Sequence, residues 1–323
     1  MAKTKRRQPQ HSSIKSRAGI WLIIILIGIG GYLYLKHENK LPDAIERLPM
    51  EDVLKETAQQ SGKLKDKILD KVGSIAKQSQ QTDYDSDGES DGLNLKLEIP
   101  VATTQQDEII LKRYAYTLSY NEKMKNPNWV AWELTRKETY GKEERSDKFV
   151  PDPDLSGSRA VSSDYTRTGY DRGHMAPAAD MKWSAKAMEQ SFYMSNICPQ
   201  NQKLNRGDWN DLEDACRKWA KKYGTVHIAC GPIYDKKRPK RIGNNKVAVP
   251  DRFFKVVLIY NRKDPMALGF IFPNIAHSQD LGRYQVSVDS IEQITGLDFF
   301  SKLPDSIENR IEAEVRTLPS TKK

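Results

Sequence analysis

Histidines are the first place to look for proton chemistry, because imidazole has an ordinary pKa of ~6.5. The chain has five: His11, His37, His174, His227 and His277. His11 lies in a basic tail and His37 just beyond an apolar run. His227 sits in Val226-His227-Ile228, an alternation that suits a structural imidazole in a strand. His277, in Phe272-Pro-Asn-Ile-Ala-His277, is a second candidate base, read as structural with a groove residue as the alternative. His174 differs by its company: Asp171-Arg172-Gly173 precede it, and Met175-Ala176-Pro177 forces a turn behind it. It is the leading candidate base.

Downstream, Asp208 reads as the N-cap of a helix whose apolar stripe is Trp209, Leu212, Cys216, Trp219 and Tyr223, with Gly224 as its stop. Glu213 and Arg217 are four apart, hence neighbours on one face, and a plain surface ion pair is the competing reading. Asn205 falls just before the cap, near a helix N-terminus that favours a phosphate.

Three segments, Asp171-Arg-Gly-His174, Tyr193-Met-Ser-Asn196-Ile and Leu204-Asn205-Arg-Gly-Asp-Trp-Asn-Asp-Leu-Glu213, closely resemble the DNA/RNA non-specific endonuclease family. The resemblance runs from about Ile109 to Phe300 and takes in Trp129-Val-Ala-Trp132 and Cys230-Gly-Pro-Ile-Tyr234. It implies a ββα-metal (His-Me finger) core. His174 matches the family's general base, Asn205 its single protein ligand to Mg²⁺ (with Mn²⁺ as a substitute), and Glu213 the acid that holds metal-bound water. Arg172 and Arg217 match phosphate-facing arginines and Asn196 a supporting polar residue. Arg145 matches the upstream arginine, with Arg159 as its rival because the intervening loop is variable. The partners implied are DNA and RNA, with a second copy in a homodimer.

These roles make a coherent phosphodiester chemistry. A neutral imidazole takes a proton from water, so activity is expected to fall as pH drops through the His174 pKa, ~6.5 if unperturbed. Mg²⁺ keeps most of its waters, so one neutral amide ligand with a carboxylate behind the waters suffices. Arginines bind phosphate bidentately, and none of these groups reads a base edge.

The elements that must position these residues read as α+β, with a mostly antiparallel sheet and helices. Alternation marks strands at Leu93 to Ile99, Ile109 to Ser119, Trp129 to Thr135, Val226 to Cys230, Arg252 to Tyr260 and Ala267 to Phe272, as a sheet with one buried face. Helical spacing marks Ser184 to Tyr193, Asp208 to Tyr223 and Ser287 to Gly296.

Ahead of this domain, placed at residues 93–318, the composition shifts three times. Residues 1–17 hold six basic and no acidic side chains, leaving only +3 of the +9 net charge for the other 306 residues. Overall basicity is therefore poor support for polyanion binding, which must come from a local patch. Residues 18–35 carry no charge and span ~27 Å as a helix, which reads as an uncleaved transmembrane anchor. A cleaved signal peptide is the rival, but the run is long and no A-x-A site follows. The positive-inside rule then puts the N-terminus in the cytoplasm and the rest outside, periplasmic or extracellular. Residues 36–92 read as a helical stalk and an acidic linker; Asp83-Tyr-Asp85-Ser-Asp87-Gly88 imitates a calcium loop but has Asn94 where that loop needs Glu. Cys198, Cys216 and Cys230 lack CxxC spacing, which disfavours zinc and leaves pairing against burial open.

The leading expectation is a membrane-anchored, metal-dependent nuclease. The alternatives are a phosphodiesterase of narrower substrate range and an inactive nucleic-acid-binding domain.

Overall fold

The computed structural model describes residues 96–157, 159–260, 264–276 and 278–321. The tail, the 18–35 run, the stalk and linker, His11, His37 and His277 lie outside the described residues. No helix among the described residues is long and apolar enough to cross a membrane.

The strands in chain order are β1 Val101–Ala102, β2 Ile109–Lys112, β3 Thr117–Asn121, β4 Asn126–Thr135, β5 Tyr170–His174 and β6 Ile197–Asn201. Then follow β7 Thr225–Ile233, β8 Arg241–Ile242, β9 Val247–Ala248, β10 Arg252–Ile259, β11 Met266–Pro273, β12 Gln285–Val286 and β13 Leu297–Asp298. The α-helices are α1 Ala185–Ser191, α2 Gln202–Arg206, α3 Asp208–Tyr223, α4 Val288–Thr295 and α5 Asp305–Ala313.

Seven strands form one antiparallel sheet in the order β12-β11-β10-β7-β4-β3-β2. Its central strands differ from the one-sided sheet that the sequence suggests, because β10 is buried at every position after Arg252. Alternation sends Phe253, Val257 and Ile259 into one core with Trp132, Trp209, Leu212 and Phe272. Phe254, Val256 and Leu258 go into a second core with Ile291, Leu297, Phe299 and Ile311. Helix α3 covers the first face, and α4 and α5 cover the second. A strand packed on both faces loses the polar half of its alternation.

The expected strand at Leu93 to Ile99 is absent over its described part. Lys96 has φ 49° and Leu97 and Glu98 are both buried, so the chain turns there. Helix α3 keeps its expected span, but its N-cap is Gly207. The Asp208 carboxylate is taken instead by Ser278 Oγ at 2.8 Å, Gln279 N and Tyr284 OH. All three cysteines are buried and free. His227 is structural, with Nδ1 3.3 Å from Glu98 Oε2.

Candidate active site

Strands β5 and β6 pair as an antiparallel ribbon, with Gly173 opposite Cys198 and His174 opposite Ile197. Glycine is needed at 173 because a Cβ there would lie 2.6 Å from Gln200 Cβ. The ribbon runs through α2 into α3, which makes a ββα unit. It brings His174, at the end of β5, to the same cleft as Asn205 on α2 and Glu213 on α3. Arg145, Phe149, Asp171, Arg172, Arg206 and Asn210 also line this cleft, whose volume is roughly 520 Å³.

The His174 ring stands edge-on to Phe192, with centroids 4.8 Å apart, and 5.4 Å from Phe149. Its Nε2 has no hydrogen-bond partner. Burial, helped by the Arg145 cation, pulls its pKa down to about 3. The expected acid limb near 6.5 therefore moves well below the neutral range, since an enclosed imidazole resists charging.

Behind it, Asn196 is fully buried rather than in the cleft. Its Nδ2 donates to Ala176 O (2.9 Å) and Ser191 O (2.8 Å), and its Oδ1 accepts from Ala176 N (2.9 Å). It thereby pins the turn that follows His174.

Asn205 donates Nδ2 to Asp171 Oδ2 at 2.9 Å. Arg206 grips the same carboxylate through Nε at 2.8 Å and Nη2 at 2.9 Å. Because the amide nitrogen faces the carboxylate, Oδ1 is the atom left to meet a cation, and a hard divalent ion is what a neutral amide oxygen backed by a carboxylate suits.

Glu213 is 9% exposed, and its Oε1 lies 3.7 Å from Lys255 Nζ. Burial pushes its pKa up to about 7, with Lys255 working in the opposite direction. Lys255 is 0% exposed and its Nζ makes no hydrogen bond. The ammonium sits 4.0 Å from the centre of the Trp209 ring, a desolvated cation–π contact of the kind worth ~2 kcal/mol.

The arginines divide. Arg145 lines the cleft, its guanidinium 5.2 Å from the Phe192 ring centre. Its rival Arg159 donates to Asp152 O and Leu155 O and is not among the lining residues. Arg172 lines the cleft while donating to Ser162 O through Nη2 at 2.7 Å. Arg217 does not line it; its Nη1 donates to Asp180 Oδ1 at 2.8 Å and its Nη2 to Asp214. The competing reading of Glu213 and Arg217 as a surface ion pair does not hold, since Glu213 lies beside Lys255 and Arg217 pairs with Asp180. Asp180 also accepts from Trp132 Nε1 at 3.0 Å.

Asp171, Asp180 and Lys255 carry no assigned role on sequence grounds. Lys255 carries a signal in hindsight: in Phe253-Phe-Lys255-Val-Val257-Leu-Ile259 it occupies a core-facing slot. The other two depend on chain segments that only the fold brings together.

The chain resembles known proteins. The chain is 38% identical over 204 residues to the mitochondrial nuclease EXOG of Xenopus laevis, covering 58% of this chain and 57% of that protein. It is 36% identical over 233 residues to the mitochondrial nuclease of Saccharomyces cerevisiae, covering 63% and 69%. A chain in the crystal structure of the EndoG/EndoGI complex superposes with a TM-score of 0.59 at 31% identity, covering 63% of this chain and 89% of that one. Alignment with the frog, zebrafish and mouse EXOG nucleases spans 57–60% of their lengths, under two thirds. With residues 94–306 matching its profile, the chain belongs to the DNA/RNA non-specific endonuclease family.

Proposed function

We propose that the chain is a divalent-metal-dependent endonuclease that hydrolyses phosphodiester bonds in DNA and RNA. The observation that carries this reading is the shared cleft, which joins an unpartnered His174 Nε2 to the one amide, Asn205, that Asp171 turns with its oxygen outward. His174 takes a proton from the attacking water at Nε2. Arg145 and Arg172 grip the phosphate and offset the charge that grows on it. Asn205 Oδ1 would hold the metal and Glu213 a water beside it, with Mg²⁺ the expected ion and Mn²⁺ a substitute. When bound, the metal supplies charge neutralisation at the phosphate and the departing 3′-oxygen. Asn196 and Arg217 support the site by holding the backbone and helix α3 in place.

The same reading includes an anchor. Residues 18–35 hold the protein in a membrane with residues 1–17 on the cytoplasmic side and the nuclease domain extracytoplasmic. Several relatives are named mitochondrial nucleases, which favours a mitochondrial membrane as a second reading. Protease accessibility on intact cells and on isolated mitochondria distinguishes the two. A homodimer completes the proposal and is read by light scattering.

The test of activity is degradation of plasmid and of RNA in Mg²⁺, in EDTA and by His174→Ala. Cleavage of both polymers, lost in both controls, supports the proposal. Cleavage confined to one small phosphodiester would favour a narrower enzyme, and binding without cleavage an inactive module.

A further inference from the structure

On the opposite face of the sheet from the cleft, α4 and α5 bring three carboxylates together. Asp289 and Glu292 are three apart on α4, hence on one side of it, and Glu312 comes from α5. One ligand oxygen from each lies within 4.8 Å of the other two. Three oxygens within 4.8 Å of one another share a point no more than about 2.8 Å from each, close to the ~2.3–2.6 Å of Ca²⁺–oxygen contacts. Mg²⁺, which binds at ~2.0–2.1 Å and gives up its waters reluctantly, suits a cage of protein carboxylates less well than Ca²⁺ does.

A second observation concerns Glu312 alone. It is 4% exposed, and its Oε1 has no hydrogen-bond partner. A buried polar atom left without a partner is costly, and a native fold seldom tolerates one without a reason. After burial itself, the strongest influences on this carboxyl are other carboxylates, Glu292, Glu308, Asp289 and Asp298. Its pKa is pushed up to about 9, and that of Glu292 to about 7. Meanwhile Phe299 N donates to Glu292 Oε1 at 2.8 Å, which fixes that side chain at the cluster.

We propose that Asp289, Glu292 and the unpartnered Glu312 form a structural Ca²⁺ site that joins α4 to α5. The site is separate from the cleft: Val288, Ile291 and Ile311 of these helices belong to the second core, whereas Trp209 and Leu212 behind the cleft belong to the first. Calcium would supply the positive charge the cluster lacks and give Glu312 Oε1 a partner.

The experiment is a Ca²⁺ titration of the full chain in detergent, read by calorimetry and melting temperature. Calcium reaches about 5 mM, above the ~10⁻⁴–10⁻³ M dissociation constants of weak calcium modules. Wild type and Asn205→Ala, which removes the cleft's amide, should each bind one Ca²⁺ with Asp289, Glu292 and Glu312 and melt about 3–5 °C higher. Glu312→Gln should lose that rise, yet melt in chelator no lower than wild type, because a neutral amide avoids the cost of burying an acid among other carboxylates. Asp289→Asn serves as a second variant with the same expected loss. No calcium-dependent rise in wild type, or an equal rise in both carboxylate variants, overturns the proposal.

Discussion

The Asp171 carboxylate accepts from Asn205 through one oxygen and from Arg206 through both, so it decides which face of the amide meets the cleft. Replacing Asp171 with Asn weakens that choice without emptying the space. Partners of this kind typically set ~10–100-fold in metal affinity. Asp171→Asn should therefore raise the Mg²⁺ needed for half-maximal cleavage by about that factor, while kcat at saturating metal falls much less. A fall in kcat with no change in the metal requirement would refute the orienting role. On the proposed roles, the acid limb of the pH profile should come from a different residue. His174, held down to about 3, is already neutral at pH 5. Glu213, raised to about 7, gains its proton first as pH falls, and only its carboxylate form can hold a water on a metal. Lys255 opposes that rise, so Lys255→Met, which keeps the bulk and removes the charge, should move the acid limb to higher pH. A limb that stays put at saturating metal in the variant would show that Lys255 only fills space.

At the scale of elements, Gly173 shows how tightly the ββα unit is built. An alanine there drives its Cβ to within 2.6 Å of Gln200 Cβ, which cannot swing away as a side-chain tip could. Overpacking of this kind costs about 1–3 kcal/mol. Gly173→Ala should therefore lower the melting temperature by several degrees and slow cleavage, because β5 carries His174 at its end. An unchanged melting curve would mean that the ribbon has slack. The ribbon was legible only as a motif. Its two strands are five residues each, and Pro199 interrupts β6, so no run of alternation announces them. The strands β4, β7, β10 and β11 were legible because they are long and rich in β-branched and aromatic residues. Helices α1 and α4 were legible from their helical spacing, and the structure adds their ends: Ser184 and Ser287 cap them, and Gly296 closes α4 at φ 66°. Helix α5 passed unseen, as only Ile307 and Ile311 mark its apolar side. The two-sided burial of the sheet was equally hidden, since it depends on helices at the far C-terminal end folding back.

At the scale of the whole molecule, charge and core both separate the nuclease unit from what precedes it. Six of nine net positive charges belong to the first seventeen residues, so the remainder is near neutral and must attract a polyanion locally. Arg145 and Arg172, which line the cleft, are the cations proposed to supply that local charge. The chain divides into two compact units at Gly88, and both major cores are drawn, among the described residues, from Leu97 onward. A protein of residues 88–323 should then melt in one cooperative transition and cleave with kcat/KM within about threefold of the full chain. Its affinity for duplex DNA should fall with salt at a log–log slope of roughly 2–3, as expected for two or three phosphates neutralised at ~0.9 each. The full chain in a vesicle, with its tail across the membrane, should give the same slope. A markedly steeper slope for the full chain would place the basic tail on the substrate, on the same side as the cleft, and would overturn the proposed topology as well as the assignment of binding to the cleft arginines.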